Sequence, residues 1–271
     1  MPDTNFLMEC VLLGAVAGFF GGMLGIGGGV IIVPVLVILL DARDLVAHEV
    51  VTRVAVATSL STIVFSSLAA ARAQVQRGAV RWDIARPWAP ALLIGSLIAG
   101  ALASMVPSVV ARLFIGAFLA VVSIIMLASW TPTPHRQLPG TVGSAGIGGI
   151  AGLISGIAGI GGGNVIVPSL VFFNVPIHQA SATASALAVP IALFGAFGYV
   201  FAPTDAAAMP AYSIGYVYLP AALAIIVTSV ALAPLGVAVA HRVPAAQLKR
   251  LFGAFVGLAA LRMLYSVVDN N

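Results

Sequence analysis

The stretch Gly18-Phe-Phe-Gly-Gly-Met-Leu-Gly25-Ile-Gly27-Gly28-Gly29-Val-Ile-Ile-Val33-Pro34 decides the fold of this chain. A second copy, Gly152-Leu-Ile-Ser-Gly-Ile-Ala-Gly159-Ile-Gly161-Gly162-Gly163-Asn-Val-Ile-Val167-Pro168, lies in the second half. Each glycine run interrupts a long apolar segment, because glycine is up to about 1 kcal/mol less favourable than alanine inside a helix. Broken apolar segments at corresponding places of two halves are typical of the substrate site of a secondary transporter.

The composition places this chain in a membrane. It is 61% hydrophobic and 7% charged, whereas a soluble domain carries about 25% charged residues. The formal charge of +4 comes from arginines spread over short loops rather than a basic stripe, which excludes a nucleic-acid site. The single cysteine, Cys10, excludes an internal disulfide. We therefore predict an all-α, multi-pass protein of the plasma (inner) membrane.

The apolar segments divide the chain into two related halves. Residues 1–130 form a predicted first transmembrane repeat, 131–140 a proline-rich linker, and 141–271 a second repeat. Each half contains one glycine-broken segment and three helices, which gives about eight transmembrane segments in total. The predicted broken segments are 6–40 and 141–174, and the predicted helices are 48–72, 84–105, 109–130, 178–202, 212–240 and 247–268.

The charges in the loops predict an inverted arrangement of the two halves. Arginines crowd the loop around residues 72–86, basic residues crowd 241–250, and the 203–211 loop has none. By the positive-inside rule the first two loops are cytoplasmic and the third is external. The helices 48–72 and 178–202 then run in opposite directions, provided that each broken segment enters and leaves on one side. The alternative is a single kinked helix that spans the membrane once.

The glycine triplets predict an anion site. Backbone that unwinds within a bilayer must be buried in protein or line a wet cavity. The apolar residues after each triplet would begin a new half-helix, whose N-terminus carries partial positive charge and unpaired N–H groups. Two such termini would hold one small anion without a charged side chain. The alternative is that the glycines only allow close helix packing.

Polar side chains inside the apolar segments complete the predicted site. Thr58 and Thr183 occupy equivalent positions in the two halves, and Arg53 is a charge within a helix. The alternatives are helix–helix hydrogen bonds for the hydroxyls and an interfacial position for Arg53. The predicted substrate-binding residues are Gly27, Gly28, Gly29, Gly161, Gly162, Gly163, Asn164, Thr58, Ser59, Thr183 and Arg53.

These motifs resemble those of the TauE/SafE family of sulfite and organosulfur-anion exporters. The resemblance lies in Gly25-Ile-Gly-Gly-Gly29 with Pro34, Gly159-Ile-Gly-Gly-Gly163 with Pro168, Ala57-Thr58-Ser59-Leu60, and the ending from Arg250-Leu-Phe-Gly253 to Arg262-Met263. It covers essentially the whole chain. It implies transport of sulfite, of sulfonates such as sulfoacetate, or of related small anions. One departure is Asn164, which stands where the first copy has Val30.

The predicted function is secondary anion transport by alternating access. The partners are a small anionic substrate and the lipid bilayer, with no cofactor. The alternatives are a passive anion channel, a permease for a sulfur-free organic acid, and a membrane-embedded enzyme using Ser155, which lacks an evident histidine partner. Metal transport is disfavoured because no intramembrane cluster of metal-binding side chains is evident. A homodimer stays open, since glycines spaced four apart suit either internal packing or a dimer face.

Overall fold

The computed structural model describes residues 3–102, 105–128, 140–204 and 209–268. Within these ranges the protein is helical, with one short hairpin of two antiparallel strands. Nearly all of the predicted linker 131–140 lies outside the described residues. The elements are α1 (Thr4–Leu24), α2 (Gly29–Asp41), α3 (Val51–Gln76), α4 (Trp82–Leu102), α5 (Ser108–Leu127), α6 (Thr141–Ala158), α7 (Gly163–Phe172), α8 (Ile177–Phe201), β1 (Ser213–Ile214), β2 (Val217–Tyr218), α9 (Leu219–Ala240) and α10 (Ala245–Val268).

Both predicted helix breaks are present. The chain leaves the helical conformation at residues 25–28 between α1 and α2, and at 159–162 between α6 and α7. Three glycines in each break adopt left-handed backbone conformations, with φ between +66° and +85°. L side chains rarely adopt this conformation, so the breaks require glycine.

The first broken segment turns back on itself. A guanidinium nitrogen of Arg43, just after α2, donates a hydrogen bond of 2.7 Å to Glu9, near the start of α1. The same guanidinium lies 5.5 Å from the centre of the Phe6 ring. The chain therefore enters α1 and leaves α2 at the same end of the molecule. This geometry contradicts the alternative of a single kinked span.

The glycines spaced four apart pack helices within the chain. A Cβ added at Gly18 would meet the backbone of Ser229 in α9, and one added at Gly152 would meet the backbone of Leu92 in α4. Small residues allow this close approach of helix backbones. Helix α1 thus packs on α9, α6 packs on α4, and α5 packs on α10. Of the two roles predicted for the glycines spaced four apart, internal packing is the one that the structure shows.

Helices α3 and α8 pack against each other in opposite directions at the centre of the bundle. Arg53 at the start of α3 and Tyr199 at the end of α8 line the same cavity. At the other end, Gln74 of α3 and the ring of His178 in α8 both lie beside His241. The loop after α3 and the turn before α10 therefore lie at one end of the molecule, as the charge pattern predicts.

Six helices in the described ranges are long and apolar enough, by length and composition, to cross a membrane: Thr4–Leu24, Val51–Gln76, Trp82–Leu102, Val109–Leu127, Ile177–Phe201 and Leu219–Ala240. Large apolar side chains such as Phe197, Val227 and Leu261 cover the outer surface. Such a surface fits lipid rather than water. The predicted helix 212–240 begins later, at Leu219, because residues 213–218 form the hairpin around Gly215. The count of eight segments stays a prediction.

Candidate functional site

The two helix breaks meet at the centre of the molecule, in a contact that we call the glycine crossing (residues 25–29 and 159–163). A Cβ added at Gly29 would meet the backbone of Gly159 and Ile160. A Cβ added at Gly163 would meet the backbone of the first break at residues 25–26. The contact is thus reciprocal: the start of each half-helix touches the opposite break. Every residue in 21–30 and 158–164 is buried.

Each break leaves a row of backbone N–H groups without a partner. The Gly28 carbonyl accepts the N–H groups of residues 31 and 32 at 3.0 and 3.1 Å, and the Gly162 carbonyl accepts those of 165 and 166 at 3.0 and 2.9 Å. Among the described residues, the N–H groups of 27–30 and 161–164 have no recorded acceptor. The first turn of a helix lacks internal acceptors and carries partial positive charge. Two such termini side by side form an environment that favours an anion.

Unpartnered polar side chains surround the same crossing. Asn164 is 0% exposed, and neither atom of its amide has a hydrogen-bond partner. The buried hydroxyls of Ser67, Ser155 and Ser181 are also without partners. Leaving a buried polar group unsatisfied costs about 1–3 kcal/mol. Such groups are rare in native structures, and a cluster of them marks a place for a bound ligand, an ion or ordered water.

These serines lie against the glycines of the breaks. The Ser67 hydroxyl is 2.9 Å from the place of a Cβ on Gly27, and that of Ser155 is 3.5 Å from the corresponding place on Gly162. The hydroxyl of Ser181 is in contact with the place of a Cβ on Gly25. The cluster therefore draws its side chains from α3, α6, α7 and α8.

Sequence reasoning did not place Ser67 or Ser155 among the binding residues. The signal for Ser67 is its position eight residues after Ser59 on α3, since residues at this spacing share a helix face. Ser155 precedes Gly159 by four residues, where the first copy has Gly21. A difference between two otherwise matching copies is the signal that points to it.

An apolar side chain also lies at the crossing. A Cβ built on Gly27 would lie 2.7 Å from an atom of Ile63 in α3. The corresponding distances are 2.8 Å for Gly29 and 2.9 Å for Gly161. A single side chain of α3 therefore touches both breaks. Nothing in the sequence marks Ile63 among the many apolar residues of this helix.

Ser59 lies at the crossing, and its predicted contact with the substrate stays a prediction. Its hydroxyl donates a hydrogen bond of 2.9 Å to the carbonyl of Gly159. The bond links α3 to the second break, and it uses the one hydrogen that the Ser59 hydroxyl can donate. Ser59 therefore holds the backbone of the site in place.

Thr58 and Thr183 have matching partners away from the crossing. The hydroxyl oxygen of Thr58 accepts the N–H of Tyr218 at 3.0 Å, and that of Thr183 accepts the N–H of Arg81 at 3.0 Å. Tyr218 and Arg81 immediately precede α9 and α4. Each threonine thus fixes the start of a helix from the other half. Their predicted contact with substrate stays a prediction.

Replacing Thr58 or Thr183 with valine tests whether the threonine stabilises the fold or binds the anion. We expect each variant to lose about 1–2 kcal/mol of stability, because a backbone N–H, buried at Tyr218 and partly buried at Arg81, loses its acceptor. We expect anion affinity to stay within about twofold of the wild type, since neither hydroxyl lies among the unpartnered groups. Thermal unfolding with and without sulfite measures both quantities. A large loss of affinity with unchanged stability would contradict the expectation and place the threonines in the binding site.

Arg53 lies apart from the crossing, toward the end of the molecule where α3 begins. It donates a hydrogen bond of 3.1 Å to the carbonyl of Val106, and its buried Nε has no partner. The cavity beside it has a volume of about 10 Å³ and is also lined by Val56 and Tyr199. Val56 contacts Gly159 as well. Arg53 therefore lies one helical turn from the crossing, between the crossing and the first residues of α3.

The site offers hydrogen-bond donors beside the carbonyl oxygens of Gly25 and Gly159. In the described part of the chain, no group of three or more His, Cys, Asp or Glu side chains could hold a metal ion. The hydroxyl of Ser155 has no hydrogen-bond partner there, so it is not paired with a base. Backbone N–H groups, an amide and hydroxyls can bind oxygens of an anion without exchanging a proton.

Comparisons with known proteins identify a family and membrane-transporter relatives. A family model described as sulfite exporter TauE/SafE matches residues 10–263. A probable membrane transporter protein of Haemophilus influenzae is 33% identical over 262 residues, which cover 96% of this chain and 98% of that protein. Another, of Methanocaldococcus jannaschii, is 25% identical over 260 residues, which cover 94% of each chain. No solved structure matches this chain.

Proposed function

Since this chain belongs to the TauE/SafE family of membrane transporters, we propose that it is a secondary transporter of small sulfur-containing oxyanions such as sulfite and sulfonates. The anion binds at the glycine crossing, within the plasma (inner) membrane. It is held by backbone N–H groups of residues 27–30 and 161–164, by the amide of Asn164, and by the hydroxyls around them.

This proposal rests on the buried, unpartnered amide of Asn164, which lies in the first turn of α7 where that helix meets the first break. Carbonyl oxygens of Gly25 and Gly159 also lie at the crossing, but a cation would leave the N–H groups of residues 27–30 and 161–164 without acceptors. An uncharged solute would not use the partial positive charge of two helix ends. A small oxyanion satisfies several N–H donors at once, because each of its oxygens accepts more than one hydrogen bond. The choice of sulfur rests on the family.

Transport proceeds by alternating access between two halves, 1–130 and 141–271, arranged as inverted repeats. The opposite directions of α3 and α8 and the reciprocal contacts of the two breaks support this arrangement. The crossing is buried on all sides, so an anion reaches it only when the halves move apart toward one end. An alternation of this kind is typical of transporters with paired broken helices.

Anion flux in proteoliposomes tests the proposal. We expect the purified protein to move sulfite and methanesulfonate with a rate that saturates, and to accumulate labelled anion when unlabelled anion leaves the vesicles. A passive channel shows neither saturation nor accumulation. Equal transport of acetate would favour a permease for sulfur-free organic acids. Absence of flux for every anion, with correctly folded protein, would contradict the proposal.

A further inference from the structure

A second polar cluster lies at the end of the molecule opposite Arg53, and we call it the histidine cluster (Gln74, His178 and His241). Nε2 of His178 lies 3.2 Å from the carbonyl of Ala240 and 3.1 Å from that of Val243. Nε2 of His241 lies 2.7 Å from Oε1 of Gln74. The two imidazole rings are 6.0 Å apart. The cluster thus joins α3 and α8 to the turn between α9 and α10.

With the Gln74 amide oriented as in the structure, the hydrogen-bond partners assign the tautomers of the two histidines. Carbonyl oxygens only accept hydrogen bonds, so Nε2 of each histidine carries the hydrogen that it shares with its acceptor. An added proton must therefore bind Nδ1 of either ring. All of these hydrogen bonds form while both rings are neutral, and each added proton introduces a positive charge into the cluster.

The internal repeat matches this cluster to the one around Arg53. Arg53 precedes Thr58 by five residues, and His178 precedes Thr183 by five. Arg53 donates to the carbonyl of Val106, and His178 donates to that of Val243; each valine is followed by proline. One end of the molecule therefore has a permanent cation at the place where the other end has a titratable one.

We propose that the His178–His241 pair binds a proton that couples anion movement to pH, closing this end of the pathway when neutral and opening it when protonated. The inference rests on the proposed anion transport. Protonation of His241 adds a cation to a site that already feels the charge of Arg77, at the end of α3, and the turn itself carries Arg242. Arg77 and Arg242 repel this cation, so the turn before α10 moves away from the ends of α3 and α8 that it contacts. The positive charge exposed there attracts the anion.

The direction of the pH effect follows from the surroundings of His241. Burial, Arg77 and His178 hold the pKa of His241 below its ordinary value of 6.5. The closed arrangement therefore favours the neutral ring, whereas an open, hydrated arrangement leaves the pKa near the ordinary value. By linkage, lowering the pH through this range shifts the equilibrium toward the open form.

Methanesulfonate flux in proteoliposomes tests the coupling, because the charge of this anion does not change in the range in which histidine titrates. We expect wild-type flux to be about 3- to 10-fold faster at about pH 5.5 than at about pH 8, and a methanesulfonate gradient to drive protons across the vesicle membrane. His178→Gln and His241→Gln keep the slow anion flux that the wild type shows at about pH 8, at both pH values, and lose the proton movement. The control is His48→Gln, since His48 is exposed and pairs with Asp41 at 3.0 Å; it behaves as the wild type.

A labelling experiment tests the gate without flux. The parent protein carries Cys10→Ala and Ser67→Cys, since Ser67 lies at the crossing and precedes Gln74 of the histidine cluster by seven residues on α3. We expect a water-soluble maleimide to label the introduced thiol several-fold faster at the acidic pH, and this difference to vanish when His241→Gln is added. Equal labelling at both pH values in the parent protein, or an unchanged pH dependence in the histidine variants, would overturn the coupling. Anion flux that persists without pH dependence leaves the proposed function standing and removes only this inference.

Discussion

Replacing Asn164 with leucine weakens anion binding by about 10- to 100-fold and stabilises the anion-free protein. The amide has two unpartnered atoms at a fully buried position. A hydrogen bond to a charged group is worth about 1.5–3 kcal/mol, which sets the loss of affinity. Removing the unsatisfied amide from the anion-free protein recovers about 1–3 kcal/mol. Thermal unfolding in detergent, with and without sulfite, measures both effects.

The opposite signs of the two effects separate a binding role from a structural one. A residue that only supports the fold loses stability when it is replaced. The matched control is Ser169→Ala on the same helix, because the Ser169 hydroxyl donates to the carbonyl of Val165 at 2.7 Å and is therefore satisfied. We expect this variant to bind sulfite as the wild type does. A leucine variant that is less stable and still stabilised by sulfite would exclude Asn164 from the site.

Replacing Gly163 or Gly29 with alanine destabilises the protein by about 1–3 kcal/mol or more, because each Cβ meets rigid backbone of the opposite break. The Cβ on Gly29 would lie 2.7 Å from Cα of Ile160, and the one on Gly163 would lie 3.0 Å from the carbonyl carbon of Gly25. The two breaks must then separate, which also removes the geometry that binds the anion. The apparent melting temperature and the sulfite response measure the loss.

The control for these variants is Gly146→Ala in α6. A Cβ there meets no atom within 4 Å, and alanine is favoured over glycine in a helix by up to about 1 kcal/mol. We expect this variant to be as stable as the wild type or more stable. Gly163→Ala with the stability of this control and normal anion binding would show that the close contact of the two breaks is dispensable.

The helix breaks could be predicted from the sequence because consecutive glycines inside an apolar segment have a strong local effect. The same holds for the glycines spaced four residues apart, because this spacing places them on one face of their helix. Gly18 in α1 and Gly152 in α6 are examples. The opposite directions of α3 and α8 followed from the arginine distribution, because the charges of short loops reflect the side of the membrane.

The composition of the site could not be predicted as well, because it depends on contacts between distant segments. Thr58 and Ser59 are adjacent in sequence, yet Thr58 holds the N–H of Tyr218 whereas Ser59 holds the carbonyl of Gly159. No local pattern distinguishes these two hydroxyls. Ser67 and Ile63 reach the crossing only because α3 passes both breaks. The meeting of the two breaks was predicted, but which side chains surround them was not.

Anomalous X-ray diffraction from crystals grown with selenite, a selenium analogue of sulfite, tests the central claim most directly. We predict a selenium peak at the glycine crossing, within hydrogen-bond distance of N–H groups of residues 27–30 or 161–164 and of the Asn164 amide. The peak disappears in the Asn164→Leu variant under the same conditions. A selenium peak elsewhere in the protein, with none at the crossing, would contradict the assignment of the glycine breaks as the anion site.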